Sequence, residues 1–593
     1  MYVPKSILCL KDYSWKQARA DMVAGLVVGV VALPLAMAFA IASGLPPVRG
    51  ISTAIVAGFL IALLGGSRVQ IGGPTGAFVV IVYGIVAKYG YEGLVIANLM
   101  AGVILIIMGL SRLGAAVKFI PYPVTTGFTA GIAVVIFSSQ VNDLLGLRIE
   151  NVPADFIGKW QAFYQRVIEI GWLETSKSPT IWLSALCLGI LILWPKVTRR
   201  LPASLIAMAA ATAVVQIFNV PVETIGSRFG DIPRTLPAPS LPAFDFQRLR
   251  DLIGPATTIA ILAAIESLLS AVVADGMIGT RHKSNLELVA QGIANIASPL
   301  FGGIPATGAI ARTATNIKTG GRTPVAGVVH ALTLLAILLF FAPLASYVPL
   351  CALAAVLVMV CYHMADMRTF VDLLRTPRSD AVVLLTTFGL TVIFDLTVAV
   401  EVGLVLAAFL FIKRMADVTN VAVVTRELTD AANGEPDDPN AISSKTVPPG
   451  VEVFEVNGPF FFGVADKVKD VLRNVMGKPK VFILRMRNVP AMDATGLYAL
   501  LDLRRKCERE GSLLILAEIH TQPFVVVERS GHYKDFGRAN VTAHIDDALN
   551  RARVVLGLPE VKVNLARVPE VARDRRLVAG EPRQEADTED DNK

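Results

Sequence analysis

Two segments rich in glycine and proline could bind an anion through their backbone. The first, at residues 72–77, is GGPTGA, and the second, at residues 302–309, is GGIPATGA. They open two apolar stretches, 74–88 and 306–318, that are too short to cross a bilayer fully, since a spanning helix needs about 20 residues. The start of a helix offers free N–H groups and the positive end of its dipole. Two facing starts would form an anion pocket, although two ordinary Gly-Pro turns between helices are the alternative.

The residues at these two helix starts are predicted to line the pocket: Thr75, Gly76, Ala77, Thr307, Gly308 and Ala309. Glu266 is the only ionisable residue between Leu252 and Ala274. An ionisable group at that depth in a membrane costs several kcal/mol and marks a functional site by default. Ser270 lies one helical turn further on the same face. A structural glutamate buried against a basic partner remains the alternative.

Arg312 follows Gly308 by about one helical turn in the second short stretch. It is a fixed cation near a dipole end, which suits the binding of an oxyanion. The alternative is an ion pair that packs helices together, with Glu266 as the candidate partner. Burial in a low-dielectric site favours the neutral form of a carboxylic acid, so Glu266 could carry a proton.

The composition indicates that these residues lie in a membrane protein. The chain has 593 residues, of which 54% are hydrophobic and 17% charged, whereas an ordinary soluble domain has about 25% charged residues. Fourteen apolar stretches are predicted to be full or partial spans: 22–43, 48–66, 74–88, 93–111, 121–140, 179–198, 201–218, 252–275, 285–302, 306–318, 323–343, 348–364, 380–396 and 398–413.

The two short stretches occupy matching positions in two halves of the chain. Aligning Thr75 with Thr307 sets an offset of 232 residues, and seven stretches lie on each side of the loop 219–250, the seventh of them beginning at Leu201. Halves with an odd number of spans have opposite orientations in the membrane, which is typical of inverted-repeat transporters with a site at the midplane. The same offset carries Pro34 onto Glu266.

Basic residues alternate between the predicted loops. If the N-terminus is cytoplasmic, the basic loops fall on the cytoplasmic side, as the positive-inside rule requires. These loops hold Arg112 and Lys118; Lys196, Arg199 and Arg200; Arg281 and Lys283; Lys318 and Arg322; Arg368, Arg375 and Arg378; Lys413 and Arg414. The pattern predicts a multi-pass protein of the cell membrane, in contact with membrane lipid, with both termini in the cytoplasm. It also accounts for the net charge of +7 without nucleic-acid binding.

Hydropathy falls after Arg414, and the rest of the chain is predicted to be soluble. The predicted organisation is a cytoplasmic N-terminal segment at 1–21, a transport domain at 22–415, a linker at 416–449, an α/β domain at 450–556 and a charged tail, typical of disorder, at 557–593. Within the α/β domain we predict strands Val451–Val456, Val481–Met486 and Leu513–Ala517 and helices Ala465–Val475, Thr495–Glu510 and His520–Ser530.

These segments resemble the SulP family of anion transporters over nearly the whole chain. The similar segments are PLAMAFA at 34–40, GLPP at 44–47, SRVQIGGPTGA at 67–77, IESLLSAVVADG at 265–276 and FGGIPATGAIARTATNIKTGGRT at 301–323. The soluble part resembles a STAS domain, with DATG at 493–496 where a helix opens.

The resemblance implies seven plus seven inverted spans, in which a core domain moves against a gate domain. It also implies a homodimer and uptake of sulfate, bicarbonate or dicarboxylate, with Pro34, Phe39 and Arg312 among the residues that contact the anion. STAS domains resemble antagonists of anti-sigma factors in which a hydroxyl at the position of Thr495 is phosphorylated. Asp493 and Thr495 are therefore predicted to act in assembly and control of transport.

The coupling ion depends on three positions where the chain departs from sodium-coupled bicarbonate transporters of the family. Those proteins have Asp, Thr and Thr where this chain has Glu266, Ser270 and Ile310. The loss of a hydroxyl at Ile310 argues against a sodium site. We therefore predict proton coupling, with sodium symport as the alternative. Leu35 stands where many members have Gln.

Other classes of function have less support in the sequence. Six histidines and five cysteines form no metal-ligand set, and no nucleophile motif or phosphate-binding loop occurs, so we predict no enzyme, metal or cofactor. A channel-like anion conductor is the stronger rival. It would show high-flux current driven by voltage, whereas a transporter would show saturable uptake coupled to an ion gradient.

Overall fold

The computed structural model describes residues 3–561 with internal gaps, and all structural statements concern those residues. The gaps are 11–12, 116–120, 150–151, 154, 172–174, 199–201, 243–245, 395, 419, 424–441, 443–444 and 462–478. Contacts divide the chain into two units, Met1–Ala408 and Phe409–Lys593, which are described separately. The predicted helix Ala465–Val475 and most of the predicted tail lie outside the described residues.

The first unit is built from helices, the last of which continues into the second unit. They are α1 (Lys5–Leu10), α2 (Trp15–Ala42), α3 (Pro47–Leu64), a short 3₁₀ helix (Gly76–Phe78), α4 (Val79–Leu110), α5 (Tyr122–Leu145), α6 (Phe156–Ile170), α7 (Pro179–Val197), α8 (Ala203–Phe218), α9 (Ile225–Phe229), α10 (Phe246–Asp251), α11 (Ile253–Ile278), α12 (Ser284–Leu300), α13 (Ile310–Thr319), α14 (Val325–Ala345), α15 (Leu350–Ala365), α16 (Met367–Leu374), α17 (Arg378–Ile393) and α18 (Leu396–Val418).

Each predicted apolar stretch overlaps one of these helices. The stretches 74–88 and 93–111 are the two parts of α4, which is interrupted at Gly90, where φ is 70°. Eight helical segments in the described chain are long and apolar enough to cross a membrane, and α8 is a shorter apolar helix. The number of spans, fourteen, therefore stays a prediction.

The first long helix begins earlier than its apolar residues indicate. α2 starts at Trp15, within the predicted cytoplasmic N-terminal segment 1–21, and Ser14 caps it by accepting a hydrogen bond from the Gln17 N–H. Asp21 is fully buried in this polar turn. Its carboxylate accepts hydrogen bonds from the Arg322 N–H at 2.8 Å and the Thr323 hydroxyl at 2.5 Å. These partners allow a charged turn to continue the helix inside the protein.

The helices pack as two groups. One group contains α2, α3, α4, α11, α12, α13 and α14, and the other contains α5, α7, α8, α15, α16 and α17. We call them the core and the gate. In the core, α4 and α12 approach closely because Gly102 and Gly292 face each other: a Cβ on either would lie within 2.7 Å of the other's carbonyl oxygen. The two groups meet mainly where α2 contacts α15 and α8.

One amphipathic helix, α6, was not predicted from the sequence. Phe163 and Val167 on one of its faces pack with Val141 at the end of α5 and with Leu147. A search for continuous apolar stretches misses such a helix, because its apolar residues recur every three or four positions. Through these contacts α6 belongs to the gate.

The core also contains a short two-stranded ribbon that joins the two halves of the chain. Strand β1 (Gly72–Gly73) pairs antiparallel with β2 (Thr307–Gly308), with Gly72 opposite Gly308 and Gly73 opposite Thr307. The predicted stretch 306–318 therefore begins as extended chain, and its helix α13 starts only at Ile310.

The second unit is an α/β domain with a five-stranded sheet. Its strands β3 (Asn420–Val423), β4 (Val451–Asn457), β5 (Val481–Asn488), β6 (Leu513–Ala517) and β7 (Val541–Thr542) lie in chain order, and its helices are α19 (Ala494–Glu510), α20 (Thr521–Arg529), α21 (Tyr533–Phe536) and α22 (Ile545–Val555). β3 runs antiparallel to β4, and the other neighbours are parallel.

The sheet starts earlier in the chain than the sequence indicated. β3 lies inside the predicted linker 416–449, whose later part is polar. The three predicted strands agree closely with β4, β5 and β6, because each is a short segment rich in buried apolar residues. Phe454 and Phe482 stack in the core of this domain with ring centroids 4.3 Å apart.

Candidate functional site

The β1–β2 ribbon places the two short helices on either side of one point. The 3₁₀ helix at Gly76 and helix α13 at Ile310 start from opposite ends of the ribbon. Neither Thr75 nor Ala309, which precede these starts, caps its helix through a side chain. The first N–H groups of both helices are thus left without the usual side-chain acceptor. The repeat of the two glycine-rich segments predicted two such helix starts, and the binding of an anion between them stays a prediction.

Glu266 lies beside the first of these helix starts. Its Oε2 atom accepts a hydrogen bond from the Thr75 hydroxyl at 3.2 Å. α11 is held against the ribbon by two further contacts: the Thr307 hydroxyl donates to the Ala263 carbonyl at 3.0 Å, and Gln70 donates to the Ser267 carbonyl at 3.1 Å. The predicted coupling residue and the predicted anion-binding residues therefore share one location.

The face of α11 that carries Glu266 changes in exposure along the helix. Ile259 and Leu262 precede Glu266 on this face and are 0% and 2% exposed, whereas Leu269 and Val273 follow it and are 37% and 43% exposed. The serine one turn beyond Glu266 is nevertheless buried. The helix around Glu266 is therefore fully packed toward its N-terminal end and partly exposed toward its C-terminal end.

Gly76 lies where the core meets the gate. A Cβ atom on this residue would be 3.4 Å from Phe39 of α2 and from Met364 of α15, and 3.5 Å from Ile136 of α5. Phe39 comes from the core, and the other two side chains come from the gate. A ligand at the start of this helix would thus lie between the two groups of helices.

Arg312 is buried on another side of the ribbon. Its Nη2 atom donates to the Pro74 carbonyl at 2.8 Å, its Nη1 atom has no hydrogen-bond partner, and the side chain is 3% exposed. A Cβ on Gly73 would lie only 2.5 Å from Nη1. Among the described contacts Arg312 forms no ion pair with Glu266, so that suggested partner is not used in this conformation.

The remaining predicted site residues differ in their burial and in their position relative to the ribbon. Pro34 is buried inside α2, about one and a half turns before Phe39. Ala77 is 1% exposed in the 3₁₀ helix, and Ile310, the first residue of α13, is 41% exposed. Ser270 is buried, and its hydroxyl donates to the Thr313 hydroxyl at 3.3 Å.

Two residues that were not predicted from the sequence contact the ribbon. Thr313 accepts a hydrogen bond from the Ile71 N–H at 3.0 Å as well as from Ser270. Gln70 lies against Gly308, where a Cβ would be 1.5 Å from its Nε2 atom. Both are polar residues next to the glycine-rich segments, and this position in the sequence could have indicated that they belong to the site.

The regulatory residues predicted in the second unit lie at the start of α19. Asp493 caps this helix by accepting a hydrogen bond from the Gly496 N–H at 2.7 Å. Thr495 is exposed in the first turn. An exposed hydroxyl at a helix start is placed where added negative charge is favoured.

Comparison with known proteins identifies the family. A model of the sulfate permease family matches residues 19–387, and a model of the STAS domain matches residues 443–548. The chain belongs to the sulfate permease family. It is therefore an anion transporter of the membrane, and the prediction that it is not an enzyme is confirmed, because this family consists of transporters. The predicted fold class, a polytopic helical protein with a STAS domain, is also confirmed.

Several relatives span most of the chain. The chain is 43% identical to the putative sulfate transporter YvdB of Bacillus subtilis, over 91% of this chain and 98% of the relative. It is 33% identical to the bicarbonate transporter BicA of Picosynechococcus, over 82% of this chain and 86% of the relative.

Solved structures show the same architecture. The transmembrane domain of a cyanobacterium bicarbonate transporter BicA matches with a TM-score of 0.59 at 33% identity, covering 65% of this chain and 98% of that one. SLC26A9 matches with a TM-score of 0.80 at 18% identity, covering 92% of each chain, which shows a shared fold.

Proposed function

We propose that this sulfate permease family member is a secondary active transporter that moves sulfate together with a proton. The hydrogen bond between Thr75 and Glu266 carries the proposal, because it joins an ionisable residue to the start of a helix suited to an anion. The 43% identity to a putative sulfate transporter supports sulfate as the substrate. Protonation would neutralise Glu266 as the anion enters, so that the loaded core could move against the gate.

The surroundings of Glu266 support a proton over sodium. A sodium ion needs several oxygen ligands. Ser270 could offer its hydroxyl oxygen, since that group only donates its proton to Thr313, but Ile310 offers no oxygen from its side chain. A protonated carboxylic acid needs no such set, since it can donate its own hydrogen bond.

The test is uptake into proteoliposomes against a concentration gradient. Glu266→Gln mimics the neutral state, so it should still bind and exchange sulfate but lose accumulation driven by an inward proton gradient. If Glu266→Gln concentrated sulfate as well as the parent does, Glu266 would not be the coupling group. A parent that required sodium and ignored pH would overturn proton coupling.

Sodium-coupled bicarbonate uptake is the second candidate, favoured by the 33% identity to a bicarbonate transporter. The same proteoliposomes distinguish it, with labelled bicarbonate and an imposed sodium gradient. Glu266→Asp combined with Ile310→Thr recreates the oxygen ligands implied by the family. If that double variant gained sodium dependence that the parent lacks, the difference in coupling would be assigned to these positions.

We propose an orientation with both termini in the cytoplasm, as the alternating basic loops predict. The C-terminal end of α11, followed by Arg281 and Lys283, would then face the cytoplasm. Cysteines introduced in the loop 219–250 and in the segment 426–449 should be labelled from opposite sides of the cell membrane. Labelling of both from one side would contradict this orientation.

The STAS domain is proposed to control transport and assembly of a homodimer. Phosphorylation of Thr495 would add negative charge at the start of α19, next to the cap formed by Asp493. Thr495→Glu should then change the transport rate or the dimer population relative to Thr495→Ala, as measured by uptake and by mass analysis in detergent. Identical behaviour of the two variants would argue against this switch.

A further inference from the structure

Lys159 is a buried cation on α6, outside the predicted spans. Lys159 is only 5% exposed, yet its ammonium forms no ion pair or hydrogen bond with the described residues. Its one recorded ring contact is with Tyr83, whose centroid lies 5.6 Å from the Lys159 Nζ atom. Burial lowers the pKa of Lys159, and the charge of Asp155 partly opposes that effect. Asp155 itself caps α6 by accepting a hydrogen bond from Gly158.

The contact between Lys159 and Tyr83 joins the gate to the core. α6 is fixed to the gate by the apolar contacts of Phe163 and by a hydrogen bond of 3.1 Å from the Trp160 indole to the Ser138 hydroxyl. Tyr83 belongs to α4 of the core. The Tyr83 hydroxyl also donates to the carbonyl of Val152, in the segment that leads into α6, at 3.4 Å.

This contact lies on the external side of the site in the proposed orientation. Tyr83 follows Gly76 by seven residues, which places it about 10 Å along the helix, in the direction away from the ribbon. The proposed orientation assigns that end of the helix to the external surface. The contact of Lys159 and Val152 with Tyr83 therefore joins the core and the gate between Gly76 and the external surface.

We propose that Lys159 is the external anion-recruiting residue of the transporter. In the closed state its ammonium lies against the face of the Tyr83 ring, which attracts a cation. When the core moves to open the external route, Tyr83 moves away from Lys159, and the ammonium becomes free to bind an incoming small oxyanion. The flexible stem of a lysine allows this exchange of partners. The proposal rests on anion transport and on the proposed orientation, and it holds whichever anion or coupling ion is used.

The test compares the two faces of the membrane. Uptake by intact cells samples the external face, and uptake by inside-out vesicles samples the cytoplasmic face. Labelled sulfate and bicarbonate are both tried with the parent, and the variants are measured with the anion it transports. Lys159→Gln should raise the external KM by about fivefold or more, because a cation that concentrates the anion is lost. The cytoplasmic KM should not change.

Two further variants separate charge from packing. Lys159→Arg keeps the cation and should recover most of the external affinity. Lys88→Gln removes an exposed cation near the end of the same part of α4 and should leave the external KM unchanged. Added salt should narrow the difference in external KM between parent and Lys159→Gln, since ions screen the attraction.

A second measurement is independent of substitution at Lys159. Tyr83→Leu removes the ring that holds the ammonium, so the external KM should fall while the rate of transport falls with the weakened closed state. The proposal would be overturned by an unchanged external KM in Lys159→Gln. Equal changes on both faces, no recovery with arginine, or a raised external KM in Tyr83→Leu would also overturn it.

Discussion

Thr75 is the residue whose side chain connects the helix start to the carboxylate. Its hydroxyl donates to Glu266 Oε2 at 3.2 Å, and valine has a similar shape without that donor. Thr75→Val should lower uptake driven by a proton gradient by about tenfold, as expected when one hydrogen bond to a charged group is removed. Thr75→Ser keeps the hydroxyl and serves as the control. Equal uptake by the two variants in proteoliposomes would show that the hydrogen bond plays no part in coupling.

The role of Arg312 can be assigned by measuring the stability of the protein and its affinity for the anion separately. Its guanidinium donates to the Pro74 carbonyl inside the protein, so Arg312→Gln should destabilise the ribbon by about 1.5–3 kcal/mol, the usual value for a hydrogen bond to a charged group. A lower thermal midpoint in detergent with a nearly normal KM for sulfate is expected. Arg312→Lys keeps the charge without the planar fork, so its thermal midpoint should lie between those of the parent and of Arg312→Gln.

The contrary result would have an equally clear meaning. A raised KM with an unchanged thermal midpoint in Arg312→Gln would assign a direct contact between the guanidinium and the anion. That contact was predicted from the sequence, and the Nη1 atom, which has no partner among the described residues, could provide it in another conformation.

At this scale, the sequence indicates candidate residues but not their partners in the fold. Glu266 could be found because it is a lone charge in an apolar stretch, which is a local property of the chain. The hydrogen bond from Ser270 to Thr313 and the contact of Gln70 with Gly308 join residues that are far apart in sequence. One sequence without related sequences carries no information on such pairs.

Among the secondary-structure elements, the apolar stretches predicted the long helices and missed the short or amphipathic ones. A stretch of about 20 apolar residues has one solution in a bilayer, because every backbone polar group must be paired within the helix. The helix α6 and strand β3 depend instead on partners elsewhere in the fold. The ribbon β1–β2 is two residues long on each side, too short to leave an alternating pattern in the sequence.

The geometry of the ribbon predicts that Gly308 and Gln70 depend on each other. A Cβ on Gly308 would overlap the Gln70 side chain at 1.5 Å, so Gly308→Ala must displace that side chain and break its hydrogen bond to the Ser267 carbonyl. We expect Gly308→Ala to lower the thermal midpoint in detergent and to reduce uptake by about tenfold or more, because packing at an interior site leaves no room for an added methyl group.

Adding Gln70→Ala to that variant provides the control. It removes the obstructing side chain, so the double variant should recover more than half of the lost thermal midpoint, whereas Gln70→Ala alone should cost about 1 kcal/mol for the missing hydrogen bond. Additive losses in the double variant would show that Gly308 is required for a reason other than the space taken by Gln70.

For the transport unit as a whole, two observations concern the contact between the core and the gate. The face of α11 beyond Glu266 is partly exposed, and Tyr83 of the core contacts Lys159 and Val152 on the gate side. A transporter that alternates access must break one set of contacts as it forms the other. The movement of the core against the gate would therefore have to separate Tyr83 from Lys159 and Val152.

The second unit makes a prediction about where an independently folding domain begins. β3 pairs with β4 along Asn420–Val423, so a fragment of residues 450–561 would expose the edge of β4. An exposed edge strand has unpaired backbone groups and promotes association. A fragment of residues 416–561 should therefore stay monomeric and unfold at a midpoint higher by about 3 °C or more, as one kcal/mol would give in a domain of this size. Replacing residues 420–423 with Gly-Ser-Gly-Ser keeps the length and should cancel the gain. Equal midpoints for all three fragments, measured by circular dichroism, would show that β3 does not stabilise the sheet.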